Sequence, residues 1–438
     1  MTIKKYFSSL DKKKIALLGL GLDHQALITL FAKYNVKAEI TICDKKPKAD
    51  LPAITNDRLS IKWQTGKKYN NHLDRFDIIF RSPGWPLWEA GLKSARQAGR
   101  EITSSIQLFI DLCPSQKIIG VTGTKGKGTT ATLINQILKD AGHRSWLGGN
   151  IGLSPLAFLD KIKIKDYVVL ELSSFQLEDL KSSPTLSVIT NFFPEHLAPA
   201  DPNNPNFHRS LSTYWQAKLN IARYPKNRWL VANIKLRQRL SAFQVTKRLI
   251  LFSASGLSTR LVGKYNQENI GAAVSVAKIL KIPASSYKKT IANFNNLENR
   301  LELVRRYRGA SYYNNSFSTT PESSILDLDS FSSPIILIAG GADKGADFYK
   351  FAKTIQAKTK HLILLPGAGT KKIKKALQKV GYKPNCITLA SDMEKAVRIA
   401  KKLAAKKDIV LLSTGCASFG LFKNYKERGS LFKKYVRN

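Results

Sequence analysis

The stretch Gly123-Thr124-Lys125-Gly126-Lys127-Gly128-Thr129-Thr130, directly after the apolar run 117–121, constrains this chain more than any other. It reads as a buried strand, a glycine-rich turn, and a helix beginning near Lys127 and running toward Asp140. A helix start presents N–H groups with no intrahelical partner and a partial positive charge. Glycines let the backbone wrap a phosphate without Cβ clashes, and Lys127 can set an ammonium on the terminal phosphates. The match to the Walker pattern is imperfect. Val121 stands where the first glycine is expected, with Gly120 one place early, and Gly128 stands where Ser or Thr follows the lysine. Thr129 or Thr130 would then supply the hydroxyl for Mg²⁺. The plainer alternative is a flexible Gly/Lys turn.

A chain of 438 residues should hold two or three domains with substantial cores. No apolar run approaches the ~20 residues needed to span a bilayer. Residues 1–14 are basic but lack an apolar leader segment, so a cytoplasmic protein without membrane association is expected. Cys43, Cys113, Cys386 and Cys416 have no CxxC spacing, which argues against a zinc ribbon and against a disulfide framework. Lys and Arg number 71 against 31 Asp and Glu, a formal charge of +40. The basic residues are spread along the whole chain, with no arginine-rich tail and no aromatic interleaving. Nucleic acid is therefore not the expected partner; anionic small substrates such as nucleotides and carboxylates suit such a surface.

Three blocks alternate strand and helix. In the first, strands are expected at 14–18, 38–43 and 77–80, with a helix from about Asp23 to Lys33. Gly19-Leu20-Gly21 and Asp44 resemble half of a dinucleotide fingerprint, with the third glycine missing; a plain tight turn fits as well. The second block places strands at 166–172, 186–190, 229–232 and 248–252. A helix carries Tyr214, Lys218 and Ile221, and another runs over 266–280. The third places strands at 335–339, 361–365 and 408–412 and a helix at 393–405. Such alternation implies parallel sheets with right-handed crossovers. The fold class expected is α/β in three domains. Residues 1–112 would be Rossmann-like, 113–299 a central P-loop ATPase-like parallel sheet, and 300–438 Rossmann-like again.

Glu171 closes a strand beside the phosphate loop, the usual place for an acid holding Mg²⁺ on ATP; a solvated strand-end acid is the alternative. His196 follows another strand end. A lone histidine is more often structural, and proximity to Glu171 and a second cation is what favours a ligand. Lys218, taken by itself, reads as a snorkelling surface lysine.

The order of these motifs resembles the Mur ligases. The matching segments are the phosphate loop, Gly148-Gly149-Asn150-Ile151-Gly152, Glu171-Leu172-Ser173-Ser174-Phe175-Gln176-Leu177-Glu178, and Tyr214-Trp215-Gln216-Ala217-Lys218. They continue through Gly263-Lys264-Tyr265-Asn266-Gln267-Glu268-Asn269, Glu298-Asn299-Arg300, and Gly340-Gly341-Ala342-Asp343-Lys344. The last are Leu411-Leu412-Ser413-Thr414-Gly415-Cys416-Ala417-Ser418-Phe419 and Phe422-Lys423-Asn424-Tyr425-Lys426-Glu427-Arg428-Gly429. The resemblance covers essentially the whole chain. The 171–178 and C-terminal segments point to the branch that adds glutamate.

The resemblance implies an ATP- and Mg²⁺-dependent amide ligase of peptidoglycan precursor synthesis. It would join D-glutamate to UDP-N-acetylmuramoyl-L-alanine through an acyl phosphate, and a monomer is expected. Gly123, Thr124, Lys125, Gly126, Lys127, Gly128, Thr129, Thr130, Asn269 and Arg300 would bind ATP. Glu171, His196, Thr129 and a carbamylated Lys218 would hold the metal, with Lys127, Glu171, His196 and Lys218 as the catalytic set. Gly21, Leu22, Asp44, Asn150 and Ser173 would bind the uridine substrate. Thr319, Lys344, Ser418 and Tyr425 would surround D-glutamate. Some positions depart from the family pattern: Gly128, His24, Asn315 for an aspartate, Phe317 for a lysine, and a shortened segment between Phe252 and Gly263. Gly-Lys-Gly-Thr also looks like the folylpolyglutamate synthase loop. A related ligase with another acceptor is therefore one alternative, and a non-catalytic nucleotide-binding module is another.

Overall fold

The computed structural model describes residues 1–54, 58–197, 206–241, 248–343 and 345–438. The chain forms two compact units, residues 1–255 with 268–290, and residues 256–267 with 291–438.

The first unit holds two parallel sheets. One has the order β3-β2-β1-β4-β5, from β1 (Lys14–Leu18), β2 (Glu39–Asp44), β3 (Ile61–Thr65), β4 (Ile78–Arg81) and β5 (Glu101–Ser104). The other is built from β6 (Ile118–Thr122), β7 (Ser145–Gly149), β8 (Tyr167–Glu171), β9 (Leu186–Ile189), β10 (Trp229–Asn233) and β11 (Arg248–Phe252). Its order is β11-β10-β9-β6-β8-β7. Every residue of β6 and β8 is buried, as a central parallel strand covered on both faces requires. Connections leave β6 in both directions, so the carboxyl ends of β6, β8 and β9 border a topological switch point, where ligands of such sheets settle.

One continuous apolar cluster serves both sheets. It runs from Phe7, Phe31 and Phe80 through Phe109 and Phe158 to Ile221 and Leu230. Phe109 meets Phe158 edge-on, ring centroids 5.9 Å apart. A buried polar tie adds to it. Arg81, at the end of β4, donates to both Asp179 oxygens at 2.7 and 2.9 Å and to the carbonyls of Trp85 and Phe175 at 2.8 Å each.

The second unit carries β12 (Glu302–Tyr307), β13 (Ala310–Asn314), β14 (Ile335–Ala339), β15 (Thr359–Leu364), β16 (Ile387–Leu389) and β17 (Ile409–Leu412) in the order β12-β13-β17-β14-β15-β16. Here an expectation is corrected: the sheet is mixed. β12 pairs antiparallel with β13 across the two-residue turn Arg308-Gly309. Both turn residues have positive φ, +48° and +78°, the geometry that matches the twist of a tight hairpin. The α/β class otherwise holds. Among the described residues no helix is long and apolar enough to cross a membrane.

Candidate active site

The phosphate loop is fastened from below. Thr124 N–H donates to the Asn191 carbonyl at 3.1 Å, and Lys125 N–H donates to Asn191 Oδ1 at 2.8 Å. Thr190 Oγ1 and Asn191 Nδ2 donate to the Lys125 carbonyl at 2.6 and 3.0 Å. The segment after β9 therefore dictates the loop's path, which ends in the helix Lys127–Asp140. Gly126, at φ +80°, sits where a Cβ would collide with Asn269 Oδ1. This position requires glycine twice over, by backbone and by space. Lys127 Nζ donates to the carbonyls of Gly123 and Thr124 at 3.1 and 2.9 Å. Thr129 and Thr130 are buried on the first turn, and Thr130 Oγ1 reaches Asn269 Oδ1 at 3.4 Å.

Glu171 ends β8 and is buried. Asn150 donates to its carbonyl through N–H at 2.8 Å and to Oε1 through Nδ2 at 3.0 Å. Oε2 is buried with no hydrogen-bond partner. A carboxylate oxygen left so is costly unless a cation meets it, so this donor fits a metal. His196 has φ +60°, its ring edge-on to Phe175 at 5.1 Å. Its side chain is 41% exposed, yet partial desolvation, with Lys127 and Lys218 nearby, lowers its pKa against the pull of Glu195, so a neutral ligand-competent imidazole is favoured at pH 7. Burial would raise the Glu195 carboxyl, but Lys125 (2.6 Å) and His196 outweigh that and hold it at about 2. Among the described residues no three His, Cys, Asp or Glu side chains cluster suitably for a metal ion. A cation here would need oxygens from elsewhere.

Lys218 departs from its plainer reading. It lies in the helix Leu211–Arg223, started by the Ser210/Thr213 capping box, and is only 1% exposed rather than snorkelling. Its Nζ donates to the Gly123 carbonyl at 2.8 Å and sits 4.5 Å from the Tyr214 ring centroid. Burial first, and Lys127 second, push its pKa well down, so the neutral amine is favoured.

Sequence reasoning missed His208. Its side chain is buried, Nε2 lies 2.9 Å from Ser174 Oγ, and its ring stacks on Phe175 at 4.7 Å and leans on Tyr214 at 5.0 Å. Its N–H donates to the His196 carbonyl at 2.8 Å, and Tyr214 OH meets Thr124 Oγ1 at 3.1 Å. One aromatic wall thus backs His196, Lys218 and the phosphate loop. Only three-dimensional packing reveals it, since nothing in the spacing of His208 marks it.

The remaining expected residues fall as follows. Asp44 Oδ2 accepts Leu20 N–H at 2.8 Å and Oδ1 accepts Lys46 N–H at 2.9 Å, so its carboxylate orders the Gly19–Gly21 turn. Gly21 caps the helix Leu22–Lys33, and Leu22 is 71% exposed at its first turn. Ser173 caps the short helix Ser174–Leu177 reciprocally with Gln176. In the second unit, Arg300 lies over Phe317, Phe317 abuts Tyr425, and Ser418 is buried after the Ala342–Ala417 bridge. Thr414 Oγ1 donates to the Ser318 carbonyl at 3.1 Å, bringing Thr319's loop beside β17. Lys344 lies outside the described residues.

Comparison with known proteins defines the class. The Mur ligase middle domain matches residues 121–256, and the Mur ligase glutamate ligase domain matches 299–416. The chain is 34% identical to the UDP-N-acetylmuramoylalanine–D-glutamate ligase of Acetivibrio thermocellus, covering 100% of this chain and 98% of the relative. It is 36% identical to that of Clostridium tetani, over 97% of each. In fold it is similar to MurF ligase from Thermotoga maritima, solved with ADP, at 15% identity, 98% and 96% coverage and TM-score 0.60. A folylpolyglutamate synthase/dihydrofolate synthase from Yersinia pestis, solved with AMPPNP and manganese, covers only 76% of this chain and 92% of its own, at 16% identity and TM-score 0.55. The chain belongs to the Mur ligase family, and the relatives that match its full length carry the D-glutamate-adding name.

Proposed function

We propose that this protein is an ATP-dependent ligase that joins D-glutamate to UDP-N-acetylmuramoyl-L-alanine in peptidoglycan precursor synthesis. Full-length similarity to ligases of that name supports it. The observation that carries the site assignment is the buried Lys218 amine held on the phosphate loop's own Gly123 carbonyl. We assign residues 1–112 to the uridine substrate, 113–299 to ATP and 300–438 to the amino acid. The protein works in the cytoplasm as a monomer.

The chemistry follows from the residues. A carboxylate forms no amide at pH 7 because hydroxide leaves poorly, so phosphoryl transfer to the alanyl carboxylate must come first. Residues 123–130 bind the triphosphate, with Asn269 and Arg300 contacting the nucleotide. Lys127 exchanges its two carbonyl partners for phosphate oxygens and offsets charge on the transferred group. Mg²⁺, held by Glu171, His196, Thr129 and a modified Lys218, would neutralise phosphate charge. The neutral Lys218 amine suits carbamylation: Nζ bonds to the carbon of CO₂, one N–H proton leaves, and a neutral amine becomes an anionic oxygen donor. Gly21, Leu22, Asp44, Asn150 and Ser173 orient the uridine substrate. Thr319, Lys344, Ser418 and Tyr425 orient D-glutamate, whose amine attacks the acyl phosphate carbon and expels phosphate.

A folate-type acceptor is disfavoured by the intact β1–β5 sheet and the full-length relatives. Phosphate release with ATP, Mg²⁺ and UDP-N-acetylmuramoyl-L-alanine is the test. Release with D-glutamate but not L-glutamate or folate is expected; equal release with folate and glutamate would overturn the assignment.

A further inference from the structure

Phe317 stands where the family pattern has a lysine, and none of the roles above uses it. It is 39% exposed, too open to be a simple core residue. Its ring centroid lies 3.7 Å from the Arg300 guanidinium carbon. On its other side it meets Tyr425 edge-on, centroids 5.1 Å apart and planes at 88°. The backbone is fixed on both flanks: Phe317 N–H donates to the Asn299 carbonyl at 3.1 Å, and Ser316 Oγ donates to the Tyr425 carbonyl at 2.7 Å. Buried Arg428 holds Ser316 in turn, donating to its Oγ at 3.0 Å and to its carbonyl at 2.8 Å. All these residues belong to the second unit.

We propose that Phe317 is a positioning residue that fixes the Arg300 guanidinium for nucleotide and, through Tyr425, links that grip to the amino-acid site. The proposal rests on the assignment of Arg300 to ATP and Tyr425 to D-glutamate. A guanidinium stacked through its face recognises phosphate through N–H groups in its plane, so stacking sets orientation without blocking the interaction. An aromatic face also attracts the cation, whereas a lysine here would repel it. The edge contact with Tyr425 means that a ligand shifting the tyrosine must re-seat the ring beneath Arg300.

Titration with a fluorescent ATP analogue, alongside steady-state kinetics of the full chain, tests this. Phe317→Leu keeps an apolar side chain but removes the ring; it should weaken nucleotide binding about three- to tenfold and raise the KM for ATP equally, leaving kcat at saturation within about twofold. Phe317→Tyr should restore the parent values. Addition of D-glutamate should alter nucleotide affinity in the parent and in Phe317→Tyr but not in Phe317→Leu. If Arg300→Ala weakens the nucleotide while Phe317→Leu does not, the positioning role is overturned and the ATP assignment stands. If Arg300→Ala changes nothing, both fall together.

Discussion

Lys218 Nζ and the Gly123 carbonyl oxygen lie 2.8 Å apart, joining the middle of one helix to the first residue of the phosphate loop. A buried lysine normally finds a carboxylate. Here its hydrogen-bond acceptor is neutral, and burial together with Lys127 favours the uncharged amine. A side chain so placed suits a reaction at nitrogen better than an ion pair.

Lys218→Ala is expected to lower turnover by about 10²- to 10³-fold, with little change in folding because the Gly123 carbonyl keeps Lys127 Nζ as a donor at 3.1 Å. Partial return of activity on adding a short-chain carboxylic acid would report the missing carbamate. Carbon-13 NMR with labelled bicarbonate should show one carbamate carbon in the parent and none in the variant.

Lys127→Ala should likewise reduce phosphate release by about 10²-fold or more while leaving the far-ultraviolet circular dichroism unchanged. Near-normal activity would mean that residues 123–130 have been assigned wrongly.

Gly126→Ala places a Cβ at φ +80° against Asn269 Oδ1. Backbone strain alone costs roughly 1 kcal/mol, and the collision forces Asn269 or the loop to move. Nucleotide affinity should fall at least about tenfold, measured by titration with ATP.

The Arg81–Asp179 pair should prove structural. Asp179→Ala leaves a buried guanidinium with one fewer anionic neighbour and should lower stability by about 3 kcal/mol in urea denaturation. Loss of activity without loss of stability would contradict this.

His208 gives a pH signature. Burial first, then His196, Lys218 and Arg81, hold its folded pKa at about 3 against an ordinary 6.5, while Glu178 lies 3.8 Å away. The unfolded chain therefore takes up a proton below 6.5 that the folded chain refuses. Stability is full above that pH and is lost as pH falls toward about 3, by on the order of 5 kcal/mol. His208→Phe should flatten the slope between pH 6 and 4 in urea midpoints; an unchanged slope would place the effect on other groups.

Much of this site could be read from the sequence because glycine and lysine leave local marks. Gly126 and Lys127 announce a turn and a helix start, and the helix expected from near Lys127 toward Asp140 spans Lys127–Asp140. The central strands β6, β8 and β9 announced themselves as apolar runs. The edge strands β3, β5 and β16 did not, since each is only partly buried and carries a mixed pattern. The hairpin β12–β13 escaped because its Arg308-Gly309 turn lacks the usual Asn-Gly signature. The identity of Lys218 as a buried amine was invisible for a different reason: its environment comes from residues 95 positions away. The same holds for His208, whose Ser174 partner is 34 positions distant.

The apolar cluster that runs unbroken from Phe7 to Leu240 carries a consequence for how the first unit is assembled. Phe109, Ile110 and Leu112 share this cluster with Leu156, Phe158 and Leu159, so a fragment ending near residue 112 would be left with an open apolar flank. The two parallel sheets of the first unit therefore form together during folding, and heating should melt them in a single step.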